Sequence, residues 1–136
     1  MKEANSSDSG LIDCTSKATR GEKAHLCLDR ALSRLQQSGG ARSVLLFEHG
    51  TLQVKMYVPR DSNGELIDPQ TPHTRDELYV VARGNGVFFN GESRRKFEIG
   101  DLIFAPAGSQ HRFEDFSEDF AVWVMFYGPE GGEAIG

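Results

Sequence analysis

Two histidines and a glutamate are the residues of this sequence whose types and spacing suit a metal ion. His73 and Glu77 stand four apart in PQTPHTRDELYVVARGNG, and His111 closes the run GDLIFAPAGSQH. Two imidazoles and one carboxylate leave coordination positions open for water or a substrate oxygen, which is the set a catalytic divalent ion uses. Such a set fits non-haem Fe(II) oxygen chemistry, and equally Zn, Mn or Ni acting as a Lewis acid on a carbonyl or hydroxyl-bearing ligand. A ligating imidazole usually donates its other N–H to a carboxylate or carbonyl, and Gln70 and Asp76 are the candidates for that support.

The two stretches resemble the paired signature motifs of the cupin superfamily. In the second motif, Gly100, Pro106, Gly108 and His111 hold the glycine, proline, glycine and histidine positions, while Asp115 stands where the family has a trailing asparagine. In the first, His73, Glu77 and Gly84 hold the second histidine, the glutamate and the glycine, and Thr71 stands at the first histidine position. The 15 residues between Gly84 and Gly100 match the separation in small bacterial cupins. The resemblance spans residues 42–128. It implies an all-β jelly-roll barrel (a double-stranded β-helix), one divalent ion held by His73, Glu77 and His111, and a small polar organic ligand reached through that ion. The reaction stays open between isomerase and dioxygenase, and the rival is a non-catalytic binding or sensing module, with or without a metal. At the Thr71 gap, water, Gln70 or Asp76 would complete the ion's shell.

These residues need a scaffold, and the chain is patterned for one. Residues 1–18 are polar and mixed in charge, which predicts a loose tail. Across residues 20–37, Ala24, Leu28, Ala31, Leu32 and Leu35 recur at helical spacing and Gly39-Gly40 offers a stop. An N-terminal helix within residues 19–41 is expected, carrying His25 and Cys27 as ordinary surface or core side chains. From residue 42 to about 130 the pattern turns to short β segments with turn residues between them, followed by a flexible end at residues 131–136. In TLQVKMYV, Leu52, Val54, Met56 and Val58 alternate with polar positions, so Gln53, Lys55 and Tyr57 read as a solvent-facing strand surface. Asn90-Gly91 signals a hairpin.

Residues 59–71 read as a long loop delivering His73, and Pro72 stiffens the backbone beside it. If Glu77 faces inward, Tyr79 faces the same way two residues on. His111 is expected to open a strand after the Pro106-Ala107-Gly108 corner. Thr71, Tyr79, Phe104, Phe113, Trp123, Met125 and Tyr127 are candidates for the pocket wall. FAVWVMFY is apolar on both faces, so its strand should be buried inside the barrel and also against the helix or a second subunit. Together with the apolar helix stripe this predicts a homodimer.

Composition narrows the classes. With 136 residues the chain can bury one continuous core. A formal charge of −5 argues against nucleic-acid or anionic-membrane partners, which need a basic footprint. Arg94, Arg95 and Lys96 read as a solvated strand end. Cys14 and Cys27 form no metal or redox motif and read as reduced thiols; with no signal-like or membrane-spanning run, a cytoplasmic location is expected.

Overall fold

Alternating strands need two faces to cover, and in this chain they are arranged as two antiparallel sheets. The computed structural model describes residues 25–61 and 63–134. Helix α1 (Leu28–Gln36) precedes β1 (Ser43–His49), β2 (Leu52–Tyr57), β3 (Asp76–Arg83), β4 (Asn85–Phe89), β5 (Arg94–Glu98), β6 (Leu102–Ala105), β7 (Arg112–Glu114) and β8 (Ala121–Tyr127). One sheet has the order β1-β2-β8-β3-β6, and the other β5-β4-β7. The predicted all-β jelly roll with an N-terminal helix is the fold observed.

Register decides which side chains meet. Lys55, Val124, Tyr79 and Ile103 lie in one row across β2, β8, β3 and β6, and the Gln53, Phe126, Glu77 and Ala105 row lies beside it. These rows face the second sheet. The intervening rows, Met56-Trp123-Val80-Leu102 and Val54-Met125-Leu78-Phe104, face outward. The assignment of Gln53, Lys55 and Tyr57 to a solvent-facing surface is therefore corrected: Tyr57 is buried, and its row points into the barrel. Alternation shows that a strand has an apolar face but not which side that face meets, and here helix α1 covers the apolar side.

Between the sheets Tyr79, Phe88, Phe97, Phe113 and Phe120 form the core, with the Phe113 ring 4.8 Å from both Tyr79 and Phe120 and 5.1 Å from Phe88. Outside, Ala31 and Leu35 of α1 pack with Leu46, Met56 and Ala121, flanked by Trp123. A bulge in β1 between Leu45 and Phe47 leaves Leu46 out of the ladder and buried in this outer cluster. Arg34 of α1 donates to the carbonyls of Leu46 at 3.1 Å and Leu45 at 3.3 Å, joining the helix to the bulge.

The helix is shorter than its periodicity suggested. Cys27 is extended (φ −105°, ψ 158°), so His25 and Cys27 precede the helix instead of riding on it. Residues 1–24, which contain the expected tail and the first turns of the expected helix, lie outside the described residues. Arg94 is paired with Glu114 at 2.8 Å, while Arg95 and Lys96 are exposed at the strand end. No helix among the described residues is long and apolar enough to cross a membrane.

Candidate metal centre

The site lies where β3 and the segment before β7 face each other across one end of the barrel. Its parts are fastened by the backbone first. The Gly108 N–H donates to the His73 carbonyl at 2.7 Å, which ties the Pro-Ala-Gly corner directly to the segment carrying the first histidine. Gly108 has φ 77°, a conformation glycine adopts without a Cβ clash. Gly84, at the far end of β3, has φ 87°, and a Cβ there would sit 2.8 Å from Phe120 Cα. It permits the turn into β4 to pack against the chain entering β8.

Asp76 points away from the site. Its Oδ1 accepts the Ala107 N–H at 2.9 Å and its Oδ2 the Glu133 N–H at 2.8 Å, and these two amides hold its carboxyl below the usual carboxylate range. Asp76 thus neither ligates nor supports an imidazole, as the sequence reading had allowed; it fixes the corner that leads to His111. The same bonds, with Gly131 N–H donating to the Thr74 carbonyl at 2.6 Å, tie residues 131–133 back to the barrel where a free end was expected.

On the inner side of β3, Glu77 is almost fully buried, His111 is buried and His73 is half-buried. Glu77 Oε1 lies 3.1 Å from His73 Nδ1 and 3.1 Å from His111 Nε2. Neither approach has hydrogen-bond geometry, and Oε1 and His73 Nδ1 are buried without a hydrogen-bond partner. The three donor atoms lie within 4.8 Å of one another, a spacing compatible with an ion, since ligands about 2.1 Å from a common centre sit about 3 Å apart when their bonds meet near a right angle. A buried carboxylate otherwise requires a compensating charge. His111 Nδ1 lies 2.9 Å from the Ser109 carbonyl; donating there places the proton on Nδ1 and leaves the Nε2 lone pair facing Glu77. His111 opens no strand; it stands one residue before β7.

Glu77 and His111 shift each other's protonation. Burial alone would raise the Glu77 carboxyl, but His111 and His73 beside it hold it below its ordinary value. Burial alone would lower the His111 imidazole, yet Glu77 raises it above its ordinary value. Tyr79 OH lies 3.0 Å from His111 Nε2 and 3.1 Å from Gln70 Oε1, and burial, reinforced by Glu77, pushes this phenol well up, so it stays protonated. Gln70 therefore supports the site through Tyr79, while its Nε2 donates to Asp68 Oδ2 at 2.5 Å.

Asp68 is a buried anchor that its setting among loop residues concealed. Its carboxylate accepts from Tyr57 OH and, at 2.8 Å, from the Phe113 N–H. It pins the loop before His73 to both sheets.

A cavity of about 140 Å³ opens beside the triad, lined by Arg42, Ser43, Lys55, Tyr57, Gln70, His73, Glu77, Val124 and Phe126. Of the expected pocket residues, Tyr79 belongs to the network at its floor, and Phe113 is core behind it. Phe104, Met125 and Trp123 face outward by register, as does Tyr127, which pairs with Asp76. Thr71 is exposed and does not line the cavity, so its expected place in the pocket wall is also corrected. Arg42, Ser43, Lys55 and Tyr57 were not singled out as pocket residues; the period of two in β2 grouped Lys55 with Tyr57 but assigned their face to solvent.

Residues 61–127 match the family model described as the cupin domain. The chain belongs to the cupin superfamily. This cupin is 38% identical over 63 residues, 46% of its length, to an uncharacterized protein of Streptomyces coelicolor, and spans 60% of the length of that curated relative. Among solved structures, KdgF from Halomonas sp. is 18% identical with a TM-score of 0.51, covering 62% of this cupin and 77% of that chain. A cupin 2 conserved barrel domain protein from Salinispora arenicola is 16% identical with a TM-score of 0.52, covering 63% and 74%. At such identities the likeness shows the fold alone.

Proposed function

We propose that this cupin binds one divalent ion through His73, Glu77 and His111 and, through it, binds or transforms a small polar organic molecule in the adjoining cavity. The observation that carries the reading is the convergence of three donor atoms, two of which are buried without a hydrogen-bond partner. When bound, the ion would supply Lewis acidity or, if iron, oxygen chemistry, with open positions for a substrate oxygen. The protein's own contribution is positional. Ser109 fixes the His111 tautomer, Gln70 and Tyr79 brace its imidazole, and Phe126 meets the His73 ring edge-on at 5.0 Å. Isomerase and dioxygenase chemistry both use such an arrangement.

Elemental analysis of protein purified without chelator is the test. About one ion per chain is expected in the wild type, a sharp loss in both His111→Ala and His73→Ala, and no loss in His49→Ala, because three protein ligands leave no spare. Melting curves confirm that each variant is folded. An ion-free wild type that takes up neither Fe(II), Zn, Mn nor Ni would overturn the metal reading. It would favour the rival, a metal-free binding module, for which the 3.0 Å contact of Tyr79 OH with His111 Nε2 provides a site already linked without an ion.

A further inference from the structure

The end of the cavity opposite the triad carries two cationic side chains that nothing in the fold accounts for. Arg42, just before β1, and Lys55, in the middle of β2, both line it. Among the described residues neither has a carboxylate partner or a side-chain hydrogen bond; Lys55 Nζ lies 5.4 Å from the centre of the Phe126 ring. Arg42 is near enough to the Tyr57 phenol to oppose the upward push of burial and Asp68 on it. Cations on a barrel exterior are ordinary, but Lys55 stands half-buried on the inward side of β2, and Arg42, exposed just before β1, borders the same cavity.

The neighbouring polar groups sharpen the point. Tyr57 OH is committed to Asp68, and the Gln70 amide is committed through both its atoms to Asp68 and Tyr79. What remains free at this end is the Arg42 guanidinium, the Lys55 ammonium and the Ser43 hydroxyl, a set dominated by donors. A ligand seated there must present acceptors, and negative charge most of all. Val124 and Phe126 supply an apolar wall between the cations and the triad. At about 140 Å³ the space is smaller than the roughly 300 Å³ at which drug-sized sites begin, so it suits a molecule of about three to five carbons.

We propose that the ligand of this cavity is a small organic carboxylate, its acid group held by Arg42 and Lys55 and a second oxygen directed toward His73, Glu77 and His111. The inference rests on the proposed metal reading for that second oxygen, while the carboxylate end stands on Arg42 and Lys55 alone. Both are binding residues, and neither touches the triad.

Calorimetric titration tests it with pyruvate, L-lactate and malonate, their neutral amides, and inorganic phosphate. Each is titrated into metal-supplemented and chelator-treated full-length protein. At least one acid should bind about tenfold or more tightly than its amide, and Arg42→Gln and Lys55→Gln should each weaken that acid by about tenfold without changing metal content. Acid binding that disappears with chelator while metal-supplemented protein binds supports the second oxygen's contact. The two readings fail separately. A protein that takes up no metal yet binds acids in an Arg42- and Lys55-dependent way removes the metal and keeps the carboxylate. Overturning results are acids and amides that bind alike, no acid binding in either preparation, acid affinity unchanged in both variants, or phosphate bound more tightly than every carboxylate.

Discussion

At the scale of single residues, the triad's charge state follows from burial. Without an ion, the buried Glu77 carboxylate draws the His111 imidazole toward its protonated form, while His111 and His73 hold Glu77 below its ordinary value. The His111 imidazole, raised above its ordinary value, contributes stability below the unfolded-state value and loses it as pH rises through the folded-state value. An ion must displace that proton, so its affinity runs the other way. The gain in melting temperature on adding Zn to chelator-treated protein should therefore grow between about pH 6 and about pH 8. A gain that is the same across that range would mean that His111 does not yield a proton to the ion. Sequence could nominate His73, Glu77 and His111 because their spacing carries a motif. It could not nominate Asp68 or Tyr57, whose importance comes from one hydrogen bond between residues that only the folded chain brings together.

At the scale of elements, β2 and β8 each serve two cores at once. Their inward residues Tyr57, Val122 and Val124 join the barrel core, while Met56 and Ala121 join the helix. Met56 is wholly buried at that outer contact, one residue from Tyr57 on the opposite face. Replacing it by alanine should cost about 2–5 kcal/mol, read by denaturant unfolding, and should leave metal content unchanged. A loss well below that range would show that α1 adds little to the fold. The helix was legible from its 3.6-residue period, but its start was not: Ala24 continues the spacing, whereas Cys27 is extended.

At the scale of the whole molecule, helix α1 covers one part of the outer sheet face, and among the described residues the β6 edge is the more open part. Helix α1 packs over Met56, Ala121 and Trp123, whereas Leu102 and Phe104 on the edge strand β6 are 66% and 50% exposed. An edge strand carrying large apolar side chains is a site for association. A homodimer is expected by light scattering at micromolar concentration, and Phe104→Lys should shift it toward monomer. A wild type that is already monomeric would refute the dimer.

The sequence by itself determined the barrel and nominated the triad, because both are written as local periods and spacings: two along a strand, 3.6 along a helix, and the fixed intervals around Gly100, Pro106 and His111. Tertiary structure alone decided which face of each strand is inside. FAVWVMFY reads as apolar on both sides, so only register against β2 and β3 sends Trp123, Met125 and Tyr127 out and Val124 and Phe126 in. The same pairing turned Lys55 and Tyr57 from an expected surface into cavity and core, because a period of two fixes alternation but not its phase.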